Sequence, residues 1–148
     1  MKKIKRRSDC PISYALDIFG DKWTLLIIRD LMFEGKRTYG EFLNSDEKIA
    51  TNILADRLET LQCAGLIKSE TDKQKKSRII YSLTHKGIDL VPVLLEIVKW
   101  SAKYDLKTGA PKQFVEKIKN DKENLMNEIT AGLKGENKFY VRSQKTNK

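Results

Sequence analysis

The chain has 148 residues, with 29 Lys+Arg against 20 Asp+Glu, one histidine and two cysteines, and its formal charge at neutral pH is +9. With 40% apolar and 8% aromatic residues it fits one largely helical globular domain with an appendage. A lone His85 and two distant cysteines, Cys10 and Cys63, exclude multi-histidine and four-ligand zinc sites, and no glycine pattern of a nucleotide-binding loop occurs.

In chain order, Asp9 as a cap and Pro11 in the first turn predict a short helix over residues 10–19, with Tyr14, Ala15, Ile18 and Phe19 turned inward and Gly20 ending it. Residues 21–33 form one helix apolar over too wide an arc for a surface position. It is therefore central, and Gly35 closes it. Thr38-x-x-Glu41 matches a capping box and starts a third short helix. After a polar turn, residues 44–48, the helical spacing of Ile49, Ile53, Leu54, Leu58 and Leu61 predicts a longer helix stopped by Gly65 in a left-handed cap. These two helices make a helix-turn-helix.

The period then changes. Residues 66–70 and 79–83 read as strands flanking the basic stretch 72–77, a hairpin with a charged tip. Beyond Thr84 one long helix runs to about Tyr104, apolar on more than one face. One face packs on its own domain; Val91, Leu94, Leu95 and Val98 are assigned to a partner subunit. Past Asp105, Gly109-Ala110-Pro111 forms a joint before a weaker amphipathic helix bearing Phe114, Val115, Ile118, Leu125, Met126, Ile129 and Leu133. A basic tail, residues 134–148, follows and is expected to be mobile. The organisation is thus a basic arm over 1–9, a domain over 10–104, and a C-terminal helical extension with its tail over 105–148.

This order is that of a winged helix-turn-helix: mainly α, with a small β-hairpin wing and a C-terminal dimerisation helix. A helix fits the major groove of double-stranded DNA, and a basic hairpin beside it reaches the adjacent backbone or minor groove. The expected contacts are Thr38, Tyr39, Thr51 and Asn52 from the helix-turn-helix, with Asn52 suited to adenine, and Lys73, Lys75, Lys76 and Arg78 from the wing. Arg57 either joins them on a phosphate or bridges to an internal carboxylate. Trp23 and Trp100 read as core or dimer-interface residues.

The motifs also carry a resemblance. Cys10-Pro11, the block Gly20-Asp21-Lys22-Trp23-Thr24-Leu25-Leu26, then Arg57-Leu58, Leu61, Gly65-Leu66-Ile67 and Tyr81-Ser82-Leu83-Thr84 with Gly87 resemble the HxlR family of bacterial winged-helix transcription regulators. The resemblance covers roughly residues 8–104. It implies a homodimer on a pseudo-palindromic operator, and in several members the cysteine corresponding to Cys10 senses oxidants or electrophiles. The family's usual Ser or Thr at the start of the recognition helix is Ala50 here, so a cap worth ~1 kcal/mol is missing.

Cys10 stands at a helix start near Lys5, Arg6 and Arg7, the general setting of a reactive thiol, with Asp9 opposing. The leading expectation is a cytoplasmic, non-enzymatic DNA-binding regulator, redox-responsive through Cys10, with no cofactor, metal or membrane partner. The longest wholly apolar run, residues 25–28, is far short of the ~20 residues of a membrane span, and no signal-peptide core follows the basic start. Two other readings are a basic RNA-associated accessory protein, which lacks an aromatic stacking strand, and a thiol peroxide-reducing enzyme, which lacks a histidine or resolving partner near Cys10.

Overall fold

The computed structural model describes residues 2–135, so the greater part of the basic tail, including Phe139-Tyr140-Val141, lies outside the described residues. Helix α1 (Pro11–Phe19) starts at Cys10, not at an Asp9 cap: Asp9 pairs with Arg6, and Pro11 in the first turn lacks the N–H that a cap would satisfy. Only Ile18 of α1 is buried, whereas Tyr14, expected inward, is exposed with its hydroxyl 3.3 Å from the Lys86 ammonium.

The central helix is not uniform. It runs as α2 (Thr24–Arg29) and then widens into a π-helical turn (Asp30–Glu34), closed by Gly35 at φ 71°, a conformation that favours glycine. Ile28 and Met32 are fully buried here, and they meet Leu54 and Leu61 of α4 in the core. α3 (Tyr39–Leu43) begins at the predicted capping box: the Thr38 hydroxyl accepts from the Glu41 N–H at 3.3 Å. α4 (Thr51–Cys63) ends in a Schellman motif, with the Leu66 N–H on the Leu61 carbonyl, the Gly65 N–H on that of Gln62, and Gly65 at φ 75°.

The hairpin is as predicted to within one residue. β1 (Ile67–Thr71) and β2 (Ile79–Leu83) pair antiparallel with Ile67 opposite Leu83. Arg37 braces it from the helical side, since its carbonyl accepts from the Tyr81 N–H at 2.8 Å. Thr84 caps α5 (His85–Ile88), and the chain then breaks before α6 (Val91–Tyr104). The single long helix expected from the hydropathy is interrupted because Pro92 offers no N–H and its ring would collide with the Ile88 carbonyl of a continuous helix.

A second expected helix also divides, into α7 (Lys112–Asn120) and α8 (Lys122–Lys134), hinged at Asp121. Both fold back on α6 and bring Ile118, Leu125 and Ile129, each essentially inaccessible, into the same core. Phe114 meets Phe33 of the π-turn edge to face, with ring centroids 6.0 Å apart. Val91, Leu94 and Leu95 are accordingly buried within the subunit, and Val98 packs beside them. The expected interface residues Val91, Leu94 and Leu95 thus lie inside the subunit, and the exposed apolar residues of α6 are Ile97, Trp100 and Tyr104.

The close approach of Gly87 to Leu66, just before β1, gives a stability test. A Cβ on Gly87 would lie 2.2 Å from the Leu66 carbonyl oxygen, whereas one on Gly40 meets nothing within 4 Å. Gly87→Ala is expected to cost at least ~1–3 kcal/mol, and Gly40→Ala, inside α3, to leave stability unchanged or raise it by up to ~1 kcal/mol, as read by urea denaturation.

Candidate nucleic-acid interface

α4 divides cleanly by exposure. Leu54, Leu58 and Leu61 are buried, while Thr51, Asn52 and Ala55 face solvent on its first turns. The helix begins at Ala50 with no side-chain cap, so its first N–H groups stay available at the surface. The structure brings Tyr39 to this point in a supporting part: its hydroxyl donates to the Thr51 carbonyl at 2.8 Å and braces α3 against the start of α4. Thr38 is likewise occupied, as the α3 cap.

Two expected contacts, Arg57 and Arg78, are paired with carboxylates of the chain. The Arg57 guanidinium lies 3.5 Å from Asp21 and 3.2 Å from Asp56, with its Nε buried, and so ties α4 to the α1–α2 junction. Of the two readings of Arg57, the carboxylate pairing is the one present within the chain. Arg78 clamps the hairpin tip through Asp72, whose other oxygen accepts from the Gln74 N–H at 2.9 Å. The Gln74 N–H and then Arg78 hold the Asp72 carboxyl below the usual range. Lys73, Lys75 and Lys76 remain exposed, with no ion pair among the described residues. Lys2, from the basic arm, reaches Asp56 at 2.5 Å and lowers its pKa by hydrogen bonding, so this acid on α4 is neutralised from two sides.

Sequence patterning missed the group that seats the α3–α4 turn. Asp30, 2% exposed, accepts from Arg29 Nε at 3.0 Å and Nη2 at 2.8 Å and from the Ser45 hydroxyl. Lys36 donates to Ser45 at 2.7 Å, and Arg29 also donates to both Glu47 oxygens, at 3.0 and 2.7 Å. Burial alone would lower the Arg29 pKa; the hydrogen bonds that Arg29 donates to Glu47 and Asp30 outweigh it and raise the value. Arg29 in turn holds Glu47 below the ordinary glutamate range. The one sequence signal was the charged pair Arg29-Asp30 inside an otherwise apolar run.

Around Cys10 the charges are matched locally. Arg6 pairs with Asp9 and Arg7 with Asp17, while Cys10 itself is exposed and Cys63 half-buried. Among the described residues no group of three or more potential metal ligands occurs, and no helix is long and apolar enough to cross a membrane.

The helix-turn-helix also matches known proteins. The model of the HxlR-like helix-turn-helix matches residues 18–108. The chain belongs to this family. It is 37% identical over 95 residues to the uncharacterised HTH-type transcriptional regulator YdeP of Bacillus subtilis, covering 64% of this chain and 73% of that one. Among solved structures it is similar to PA1607, proposed to be a transcription factor, with 36% identity, a TM-score of 0.63 and 72% of each chain covered. It is also similar to the redox regulator HypR in its oxidised form, with 28% identity, a TM-score of 0.57, and 64% of this chain and 96% of that one covered. The quinone-bound YodB from B. subtilis is a further neighbour, at 30% identity and a TM-score of 0.52, over 64% of this chain and all of that one. The protein is a helix-turn-helix transcriptional regulator with a winged-helix fold.

The Arg29–Glu47 pair predicts a pH-dependent share of stability. Because the folded-state pKa of Glu47 is depressed, its contribution is present above the unfolded glutamate value of about 4.3 and is lost as pH falls through the lower folded value. The melting temperature of Glu47→Gln should therefore lie below that of the parent at pH 7, and the gap should close as the pH is taken below about 4.

Proposed function

We propose that the protein acts as a homodimer that binds double-stranded DNA sequence-specifically at a pseudo-palindromic operator and regulates transcription in the cytoplasm. The observation that carries this reading is the pairing of an exposed first turn of α4, Thr51 and Asn52, with three unpaired wing lysines, Lys73, Lys75 and Lys76. α4 enters the major groove, Asn52 reads a base edge, and the wing lysines neutralise backbone phosphates. Two copies place their recognition helices one DNA turn apart, ~34 Å. Exposed apolar groups supply a surface for the second copy: Ile12 and Leu16 of α1, and Trp100 and Tyr104 of α6, the last two 67% and 64% exposed with rings 5.5 Å apart.

The exposed Cys10, at the head of α1, is the redox-responsive group of this reading, supported by the likeness to HypR and to quinone-bound YodB. Modification of its sulfur shifts α1 and with it the spacing of the two recognition helices. A bias of 1.4 kcal/mol changes occupancy tenfold.

Two outcomes are expected. Lys75→Ala with Lys76→Ala should weaken binding to every duplex and flatten the plot of log affinity against log salt by about one unit for every phosphate that the dimer no longer neutralises. Asn52→Ala should instead relax preference at one base pair per half-site, by ~1–3 kcal/mol. An unchanged salt slope in the lysine variant, or one chain per duplex by sedimentation, contradicts the reading. Separately, diamide or a quinone should alter operator affinity of the parent and leave that of Cys10→Ser unchanged; an equal response in both removes Cys10 from the mechanism.

A further inference from the structure

We propose that the N-terminal arm is a third DNA-contacting element, in which Lys3 and Lys5 bind backbone phosphates beside the groove that α4 enters. This assignment rests on the DNA-binding reading above. It extends that reading to a segment outside the helix-turn-helix, the wing and the family match, which begins at residue 18.

The arm is built onto the domain. The Lys2 ammonium lies 2.5 Å from Asp56 of α4, and Ile4 packs against the core. At the other end Arg7 pairs with Asp17, whose side chain is 5% exposed, and the Arg7 N–H lies 3.4 Å from the other oxygen of the same carboxylate. Between these anchors burial alternates: Lys2 and Ile4 are half-buried, Lys3 and Lys5 exposed. A period of two is that of extended chain, and it sets both lysines on the outer side.

Charge and position select the partner. Of the five basic residues between positions 2 and 7, Lys2, Arg6 and Arg7 are paired with acids, whereas the Lys3 and Lys5 side chains have no ion pair or hydrogen bond among the described residues. Asp56, to which the arm is tied, lies one helical turn from Asn52 and on the same face of α4. Two unanswered ammonium groups are therefore held beside the helix that reads the bases, and Lys2 neutralises the acid that would repel a polyanion there. An arm already pinned at both ends has less freedom to lose on binding than a loose one, so its charges act at a lower entropic cost.

The test is binding of the full-length protein to duplex DNA over a range of salt concentrations. Four proteins are compared: the parent, Lys3→Ala with Lys5→Ala, the wing pair Lys75→Ala with Lys76→Ala, and, as a control of equal charge, Lys117→Ala with Lys119→Ala on α7. All six substituted lysines are exposed. The arm variant should flatten the plot of log affinity against log salt by about two units for each bound chain, on every duplex alike, and the α7 control should match the parent. Ethylation of individual phosphates should map the contact as a set that the parent and the wing variant need and the arm variant does not. An arm-variant slope equal to the parent's, or a slope lost equally by the α7 control, overturns the arm contact. So does a changed base preference at an unchanged slope, or an ethylation pattern that the arm variant shares with the parent. If the wing slope falls and the arm slope does not, the DNA-binding reading stands and the arm contact is refuted. If the parent binds no duplex, that reading fails and the arm contact fails with it.

Discussion

A buried carboxylate organises this molecule. Asp30 lies in the core beside Ile28 and Met32, and an ionised carboxylate removed from water costs several kcal/mol unless every oxygen is answered. Arg29 answers one oxygen from the preceding residue, and Ser45 answers the other from the α3–α4 turn. The turn of the helix-turn-helix is therefore held by the electrostatics of the central helix as well as by apolar packing. The same need accounts for the company Arg29 keeps: with Asp30 on one side and Glu47 on the other, it joins the core to the surface of the turn. The π-helical turn that starts at Asp30 puts Phe33 against Phe114, so the C-terminal extension docks on the segment that seats the helix-turn-helix.

Positive charge is distributed unevenly in consequence. Many of the basic groups near the helix-turn-helix answer internal carboxylates: Arg29 on Asp30, Arg57 on Asp21 and Asp56, Lys2 on Asp56, Arg78 on Asp72. Arg57 lies 3.2 and 3.5 Å from two carboxylates, each of which also has another partner: Lys2 on Asp56, and the Thr24 hydroxyl on Asp21. The wing lysines have no such obligation, and their charge is free to act at long range. A formal charge of +9 is thus a poor guide to which basic residues remain unpaired at the described surface. Local pairing decides it.

Element by element, much of the domain was legible in the sequence. The Thr38–Glu41 box, the Schellman cap at Gly65 and the two strands depend on interactions within about six residues, or between adjacent strands with alternating hydropathy, and each stands where the pattern placed it. Breaks were less legible. Pro92 divides α5 from α6, and Asp121 divides α7 from α8, although the apolar spacing runs on through both. Periodicity reports which face a residue shares, and a helix restarted after a short break can keep nearly the same face.

The sequence by itself determined the order of elements, the identity of the exposed α4 residues Thr51 and Asn52, and the basic character of the wing tip. Those follow from local capping, from period and from charge. Tertiary structure alone decided which apolar residues of α6 are core and which are surface: Val91, Leu94 and Leu95 went inside because α7 and α8 fold back over them, leaving Trp100 and Tyr104 outside. It also decided the partners of Arg57 and Asp30. Asp21 lies 36 positions from Arg57, and Ser45 lies 15 from Asp30. Pairings of that range have no local signature, since a charge in a sequence carries no record of which distant charge the packing of helices will set against it.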